Sequence, residues 1–216
     1  MNPDGIDQCV VSLVFILFGY LSGSVLYARV FASLFGRRDI LSQSADQNPG
    51  TANAFKYGGF YCGLCTLVFD LFKGFLPVYA YVKCGSAEPL VTALVVAAPV
   101  LGHAFPLFYR FRGGKGIAVS FGALAGLYPA LVPLLTLAFF FIAFSTVVKI
   151  TPNFHRTGVT YVCTLIALSK SAAAPGFAII TAIVLLRLRL SREERGRMEV
   201  SILGRPVALL RNRRGA

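Results

Sequence analysis

The chain has 216 residues, 56% of them hydrophobic and 14% charged, with a mean hydropathy of +0.70. Soluble domains average roughly 25% charged residues, so this composition excludes an ordinary water-soluble domain and points to lipid. The net charge of +12, from 21 Lys and Arg against 9 Asp and Glu, suits nucleic acid or an anionic membrane surface, and the apolar content favours the membrane.

The opening MNPDGID holds Asp4 and Asp7 but no Lys or Arg. A secretory signal needs a basic start, so the first apolar segment is expected to remain as an anchor. Apolar stretches then predict crossings at 9–31, 60–82, 89–108, 116–130, 131–148, 158–170 and 174–190. Pro129 and Pro133 mark a reversal between the fourth and fifth, and SKSAAAPG at 169–176 separates the last two. Merging the two shortest stretches gives a six-span alternative.

The expected fold class is an all-α polytopic membrane protein of seven transmembrane helices, N-terminus outside and C-terminus cytoplasmic. Residues 1–190 form its single domain and 191–216 a basic cytoplasmic tail. Seven crossings put Arg29, Arg37, Arg38, Lys56, Arg110, Arg112, Lys115, Lys149 and Arg156 on one side, against little more than Lys83 and Lys170 on the other. Positive charge prefers the cytoplasmic side. From Arg187 to Ala216 there are nine arginines and three acids, a stretch suited to an anionic inner leaflet. No aromatic-rich basic groove supports nucleic acid as a partner. Cys62 and Cys65 have C-x-x-C spacing but no second ligand pair, so packing explains them better than metal.

Polar residues cluster in three places. Between the first two spans lies DILSQSADQNPGTANAFK, where Asn48, Pro49, Gly50 and Asn53 suit a rigid turn and helix start, with Thr51 or Asn53 as cap. Asn48 and Asn53 can also bind hydroxyl or phosphate oxygens, and Lys56 can offset negative charge. FDLFKG then sets Asp70 and Lys73 on one helix face, where mutual attraction reduces the cost of burying either. Intramembrane ions usually face a protein interior or an aqueous cavity.

The third cluster is HAFPLFYRFRGGKG, from His103 to Gly116. Gly113, Gly114 and Gly116 leave backbone amides open around Lys115, and such amides cradle phosphate oxygens beside Lys and Arg. An ordinary basic loop eased by glycines is an equal reading. Lys115 is followed by Gly116 rather than Ser or Thr, so this is no nucleotide P-loop. His103 is either a helix-end packing residue or a group that exchanges a proton or orients a hydroxyl.

Three stretches together, NPGTAN at 48–53, FDLFKG at 69–74 and GHAFPLFYRFRGGKG at 102–116, resemble the acyl-phosphate-dependent glycerol-3-phosphate acyltransferase family of bacterial membranes, often called PlsY. Gly23–Ser24 agrees as well. The resemblance implies a bacterial inner or plasma membrane protein with its site facing the cytoplasm. It also implies acyl transfer from acyl phosphate to the 1-hydroxyl of sn-glycerol 3-phosphate, with no metal, no other cofactor and no acyl-CoA. Lys115 and His103 are then the catalytic candidates. Asn48, Gly50, Asn53, Lys56, Arg110, Arg112, Gly113, Gly114, Gly116 and Arg189 are expected to bind substrate or phosphate, and Ser24, Asp70 and Lys73 to support the site. Membrane lipids are the expected surroundings, and the oligomeric state is left open.

The chain departs from the family pattern at two places. The last inside motif, H-R-x-N-I-x-R in the family, has Leu188, Arg189 and Ser191 here, and the residues before NPG are Ala45, Asp46 and Gln47. Asp46 sets a negative charge where phosphate is expected. These changes admit an inactive or substrate-altered member. A phosphate-compound transporter or channel is the alternative of another class, although no internal repeat supports it.

Overall fold

The computed structural model describes residues 3–36, 40–84, 88–203 and 205–206. Arg37, Arg38 and residues 207–216 of the basic tail lie outside the described residues. Helices α1 (Pro3–Ser24) and α2 (Tyr27–Leu34) are followed by α3 (Ile40–Gln43), α4 (Thr51–Gly58) and the long α5 (Phe60–Lys83). Helix α6 (Pro89–Ala104) leads through a 3-10 turn at Leu107–Tyr109 to α7 (Ile117–Ala125) and α8 (Val132–Ser145). Strand β1 (Val148–Thr151), helices α9 (Asn153–Ala167) and α10 (Ala174–Leu190), and strands β2 (Glu199–Ile202) and β3 (Arg205–Pro206) complete the chain. Local chemistry sets these boundaries: at α6, Glu88 caps the helix by accepting the Val91 N–H at 2.6 Å, and Pro89 fills the first turn.

The expected seven crossings are not formed. At a rise of 1.5 Å per residue, nine-residue α7 extends about 14 Å and α8 to α10 about 21–26 Å, short of a hydrocarbon core of about 30 Å. Among the described residues, two helical stretches, Phe60–Lys83 and Pro89–Tyr109, are long and apolar enough to cross. The pair Gln8–Ser24 and Tyr27–Leu34, bent by 40°, makes a third if it is one span. The orientation counted from seven crossings, N-terminus outside and C-terminus cytoplasmic, therefore loses its basis. Helix α7 shows why hydropathy misleads: Val119, Ala123 and Leu124 are fully buried against protein, so its apolar run serves a core.

The fold is helical and membrane-associated, with one small addition. Strands β1, β2 and β3 form an antiparallel sheet in which Val148 faces Ile202 and Thr151 faces Glu199. Helices α5 and α7 pack backbone to backbone: a Cβ on Gly74 would strike the Val119 carbonyl, and one on Gly122 the Leu71 carbonyl. Tyr81, Val95, Leu124, Tyr161 and Phe177 lie in the main core, Tyr161 stacked on Phe177 at 5.7 Å. Leu13, Val14 and Leu17 on α1, with Leu64, Val68 and Phe72 on α5, form exposed apolar faces suited to lipid.

Candidate active site

Asp70 and Lys73 lie one helical turn apart on α5, only 1% and 2% exposed, and pair at 2.8 Å. The break between α1 and α2 brings the Val25 carbonyl to Lys73 Nζ at 2.6 Å, and His103 Nδ1 on α6 lies 2.9 Å from the same nitrogen. An ammonium carries no lone pair, so it donates to the Val25 carbonyl and to His103 Nδ1 while its charge pairs with Asp70. His103 Nδ1 is thus an acceptor, and the ring proton belongs on Nε2. Thr51, in the first turn of α4, donates from Oγ1 to Asp70 Oδ2 at 3.3 Å.

After α6 the chain folds back on the helix it has just left. Arg110 and Phe111 adopt left-handed φ of 52° and 58°, and the Gly114 N–H donates to the His103 carbonyl at 3.0 Å. A Cβ on Gly113 would strike that carbonyl, and one on Gly114 would strike His103 Nε2. The two glycines are therefore needed to press this loop onto His103. Arg187 on α10 donates through Nε and Nη2 to the Gly113 carbonyl, at 3.1 and 2.6 Å. So anchored, the loop buries Lys115 to 7% exposure.

Lys115 is already paired. Its Nζ lies 2.7 Å from Glu193 Oε1 and 3.3 Å from Asp46 Oδ2. Glu193 Oε1 also accepts from Asn153 Nδ2 at 2.8 Å, and the Asn153 oxygen accepts from Arg156 Nη2. The sheet makes this possible, because β1 runs into Asn153 while β2 follows the Glu193 segment, and pairing of the strands brings both together. Asp46 is fixed by Asn53 Nδ2 at 2.8 Å and the Asn48 N–H at 3.2 Å.

A cavity of about 460 Å³ lies beside these groups. Its lining combines the polar Asn48, Asp70, His103, Lys115 and Arg156 with the apolar Leu67, Ile117, Phe121 and Phe141. Arg156 Nε is buried with no hydrogen-bond partner among the described residues, a donor left for something else.

Of the residues nominated from sequence, Asn48, Gly50, Asp70, His103, Lys115 and Gly116 line this cavity. Lys73, Asn53, Gly113 and Gly114 stand behind it, as does Ser24, whose Oγ donates to the Tyr20 carbonyl at 2.8 Å and accepts from the Leu107 N–H at 3.3 Å. Arg112 lines a neighbouring cavity. Lys56 is exposed against the Tyr57 ring, and Arg110 and Arg189 are exposed outside the lining. Sequence reasoning missed Glu193, Asn153 and Arg156. For the latter two a signal existed: polar residues three apart at a helix start just after Pro152. Glu193 carried none, being one acid inside an arginine-rich run.

A family model described as Glycerol-3-phosphate acyltransferase matches residues 13–196. The glycerol-3-phosphate acyltransferase of Legionella pneumophila (strain Corby) is 44% identical over 109 residues, 50% of this chain and 39% of that one. That of Actinobacillus pleuropneumoniae serotype 5b is 46% identical over 109 residues, 50% of this chain and 55% of that one. The chain thus spans about half the length of the curated relatives it matches, or less. A crystal structure of PlsY (YgiH), an integral membrane glycerol 3-phosphate acyltransferase in its glycerol 3-phosphate form, aligns with a TM-score of 0.70 at 25% identity, over 83% of this chain and 88% of that one. A family match covering most of the sequence, on a helical frame that superposes on a solved member, places this chain in the glycerol-3-phosphate acyltransferase family.

Proposed function

We propose that the protein transfers an acyl group from acyl phosphate to the 1-hydroxyl of sn-glycerol 3-phosphate, forming lysophosphatidate and inorganic phosphate in phospholipid synthesis. The observation that carries this reading is the mixed lining of the cavity, in which Leu67, Phe121 and Phe141 suit an acyl tail and Lys115 and Arg156 suit a phosphoryl group. The glycerol hydroxyl oxygen attacks the acyl carbonyl carbon. A new ester C–O bond forms, the C–O bond to phosphate breaks, and its electron pair leaves on phosphate. His103 Nδ1 is committed to Lys73, so the ring presents an N–H donor rather than a base, and the hydroxyl proton passes to the departing phosphate. Lys115 and Arg156 stabilise the charge that gathers there. The acyl phosphate is already activated, and no covalent nucleophile is required.

The site faces the cytoplasm of a bacterial inner or plasma membrane in this reading. Arg29, Arg112, Arg187 and Arg192 line a cavity that shares Asp46 with the Lys115 cluster, a basic end that prefers the inner side. The test is purified protein in nanodiscs with acyl phosphate, with and without glycerol 3-phosphate. Phosphate release and lysophosphatidate formation are both expected to require glycerol 3-phosphate. Flux of a phosphate compound across sealed vesicles without product overturns the reading.

One observation favours a second reading, an altered or silent member: two carboxylates hold the single ammonium of Lys115. If Glu193 competes with substrate phosphate, Glu193→Gln lowers the KM for acyl phosphate about tenfold, the size of one charged hydrogen bond. Steady-state kinetics of both proteins check this. No product from either supports the silent member.

A further inference from the structure

The small sheet is amphipathic. In β1, Val148 and Ile150 alternate with Lys149 and Thr151, and in β2, Val200 and Ile202 alternate with Glu199 and Ser201. The register sets Val148 opposite Ile202 and Ile150 opposite Val200, so all four apolar side chains share one face and the polar ones the other. The two ends of the apolar face differ. Ile150 at the inner end is only 5% exposed, whereas Ile202 at the outer end is exposed.

Leu203 follows in the turn between β2 and β3, where its N–H donates to the Val147 carbonyl at 2.9 Å. It is 77% exposed, and Val147 is exposed as well. Leu203 holds this place at a left-handed φ of 48°, a conformation that glycine or asparagine adopts at lower cost. Val147, Ile202 and Leu203 thus make an apolar corner at the outer end of the sheet, left open by the rest of the fold.

The place of this corner in the chain indicates what covers it. Helix α8 exposes Val132, Leu135, Phe139 and Ile142 at spacings of three and four residues, a stripe along one side. Val147 comes two residues after that helix ends, so the corner closes the run. In a membrane-embedded fold such a stripe meets lipid, and a bilayer covering it reaches its boundary where the sheet begins. The surroundings of the corner are basic. Lys149, Arg195 and Arg197 are exposed against Glu194 and Glu199, and the sequence after β2 adds Arg205, Arg211, Arg213 and Arg214 with no acid. Apolar residues ringed by bases suit the headgroup layer of anionic lipid.

We infer that the turn between β2 and β3 is an interfacial anchor, in which Val147, Ile202 and Leu203 seat at the headgroup boundary of an anionic leaflet. Because β2 follows the Glu193 segment and β1 runs into Asn153, the seated sheet ties the partners of Lys115 to the bilayer surface. The inference goes beyond acyl transfer, and its test requires no turnover.

The chain has no tryptophan, so one introduced indole reports its own surroundings. The full chain is placed in nanodiscs whose lipids are brominated near the headgroup end of their chains, anionic in one set and neutral in another. Leu203→Trp is expected to lose most of its emission in the anionic set. Glu199→Trp, on the polar face about 13 Å along the strand, is expected to keep its emission, although loss of its negative charge favours the surface. Adding Lys149→Gln/Arg197→Gln to Leu203→Trp lowers the ratio of seated to free turn about fivefold for each base removed in anionic discs, and leaves it unchanged in neutral ones. Equal melting temperatures verify folding, and Ile202→Trp repeats the measurement if Leu203→Trp does not fold.

Emission unquenched at both Leu203→Trp and Ile202→Trp overturns the anchor, as does equal quenching at Glu199→Trp. Quenching of the same depth in neutral and anionic discs overturns the anionic leaflet as partner. Shielding from aqueous iodide without quenching by bromine, rising with protein concentration, assigns the corner to a second copy of the chain and also overturns the inference.

Discussion

Lys73→Met lowers stability by about 3–5 kcal/mol and abolishes transfer, because it leaves the Asp70 carboxylate buried without its cation. Asp70 is 1% exposed, and its carboxylate is then left with the neutral Thr51 hydroxyl in place of a cation. The same change strips the Val25 carbonyl and His103 Nδ1 of their donor, so the break in the first helical pair and the histidine lose their common anchor. The double variant Asp70→Asn/Lys73→Met removes both charges and regains most of the stability, while transfer stays absent because His103 remains unheld. Equilibrium unfolding in mixed micelles followed by circular dichroism measures both. Equal stability of the single and double variants refutes the ion pair as the strut of the site.

Lys115→Ala lowers kcat/KM for acyl phosphate about 1000-fold, the upper range for removing one preorganised donor to a transition-state oxyanion. The KM for glycerol 3-phosphate, measured in the same assay, moves by less than about threefold if the acceptor phosphate makes no direct contact with Lys115. The separation of the two constants is the diagnostic result. A parallel fall in affinity for both substrates places both phosphates on Lys115 instead.

Much of the site could be read in the sequence because its parts are local. NPGTAN, FDLFKG and the run from His103 to Gly116 each fold within one turn or one loop, and the structure brings Asn48, Asp70, His103 and Lys115 to one cavity. The partner of Lys115 could not be read, since Glu193 lies 78 residues downstream and reaches it through strand pairing that no hydropathy pattern announces. In the sequence the glycines suit open amides for phosphate and an ordinary eased loop equally. In the structure Gly113 and Gly114 first serve steric contact with His103, a constraint visible only once α6 and the loop fold back.

The crossings were overcounted for a related reason. Apolar residues that face protein and apolar residues that face lipid score alike, and α7 belongs to the first kind although its sequence reads as the second. Length discriminates better than composition here. A nine-residue helix is a core element however greasy it is.

The rigid α5 and α7 contact has a further consequence for traffic. With their backbones touching at Gly74 and Gly122, these two helices close one flank of the cavity like a welded seam. The lining also includes Phe141 of α8, a helix that buries just Pro133 and Leu137 among the described residues. In the acyl-transfer reading, α8 is the looser wall past which a fatty tail in the bilayer reaches the cavity, while the seam of α5 and α7 stays shut.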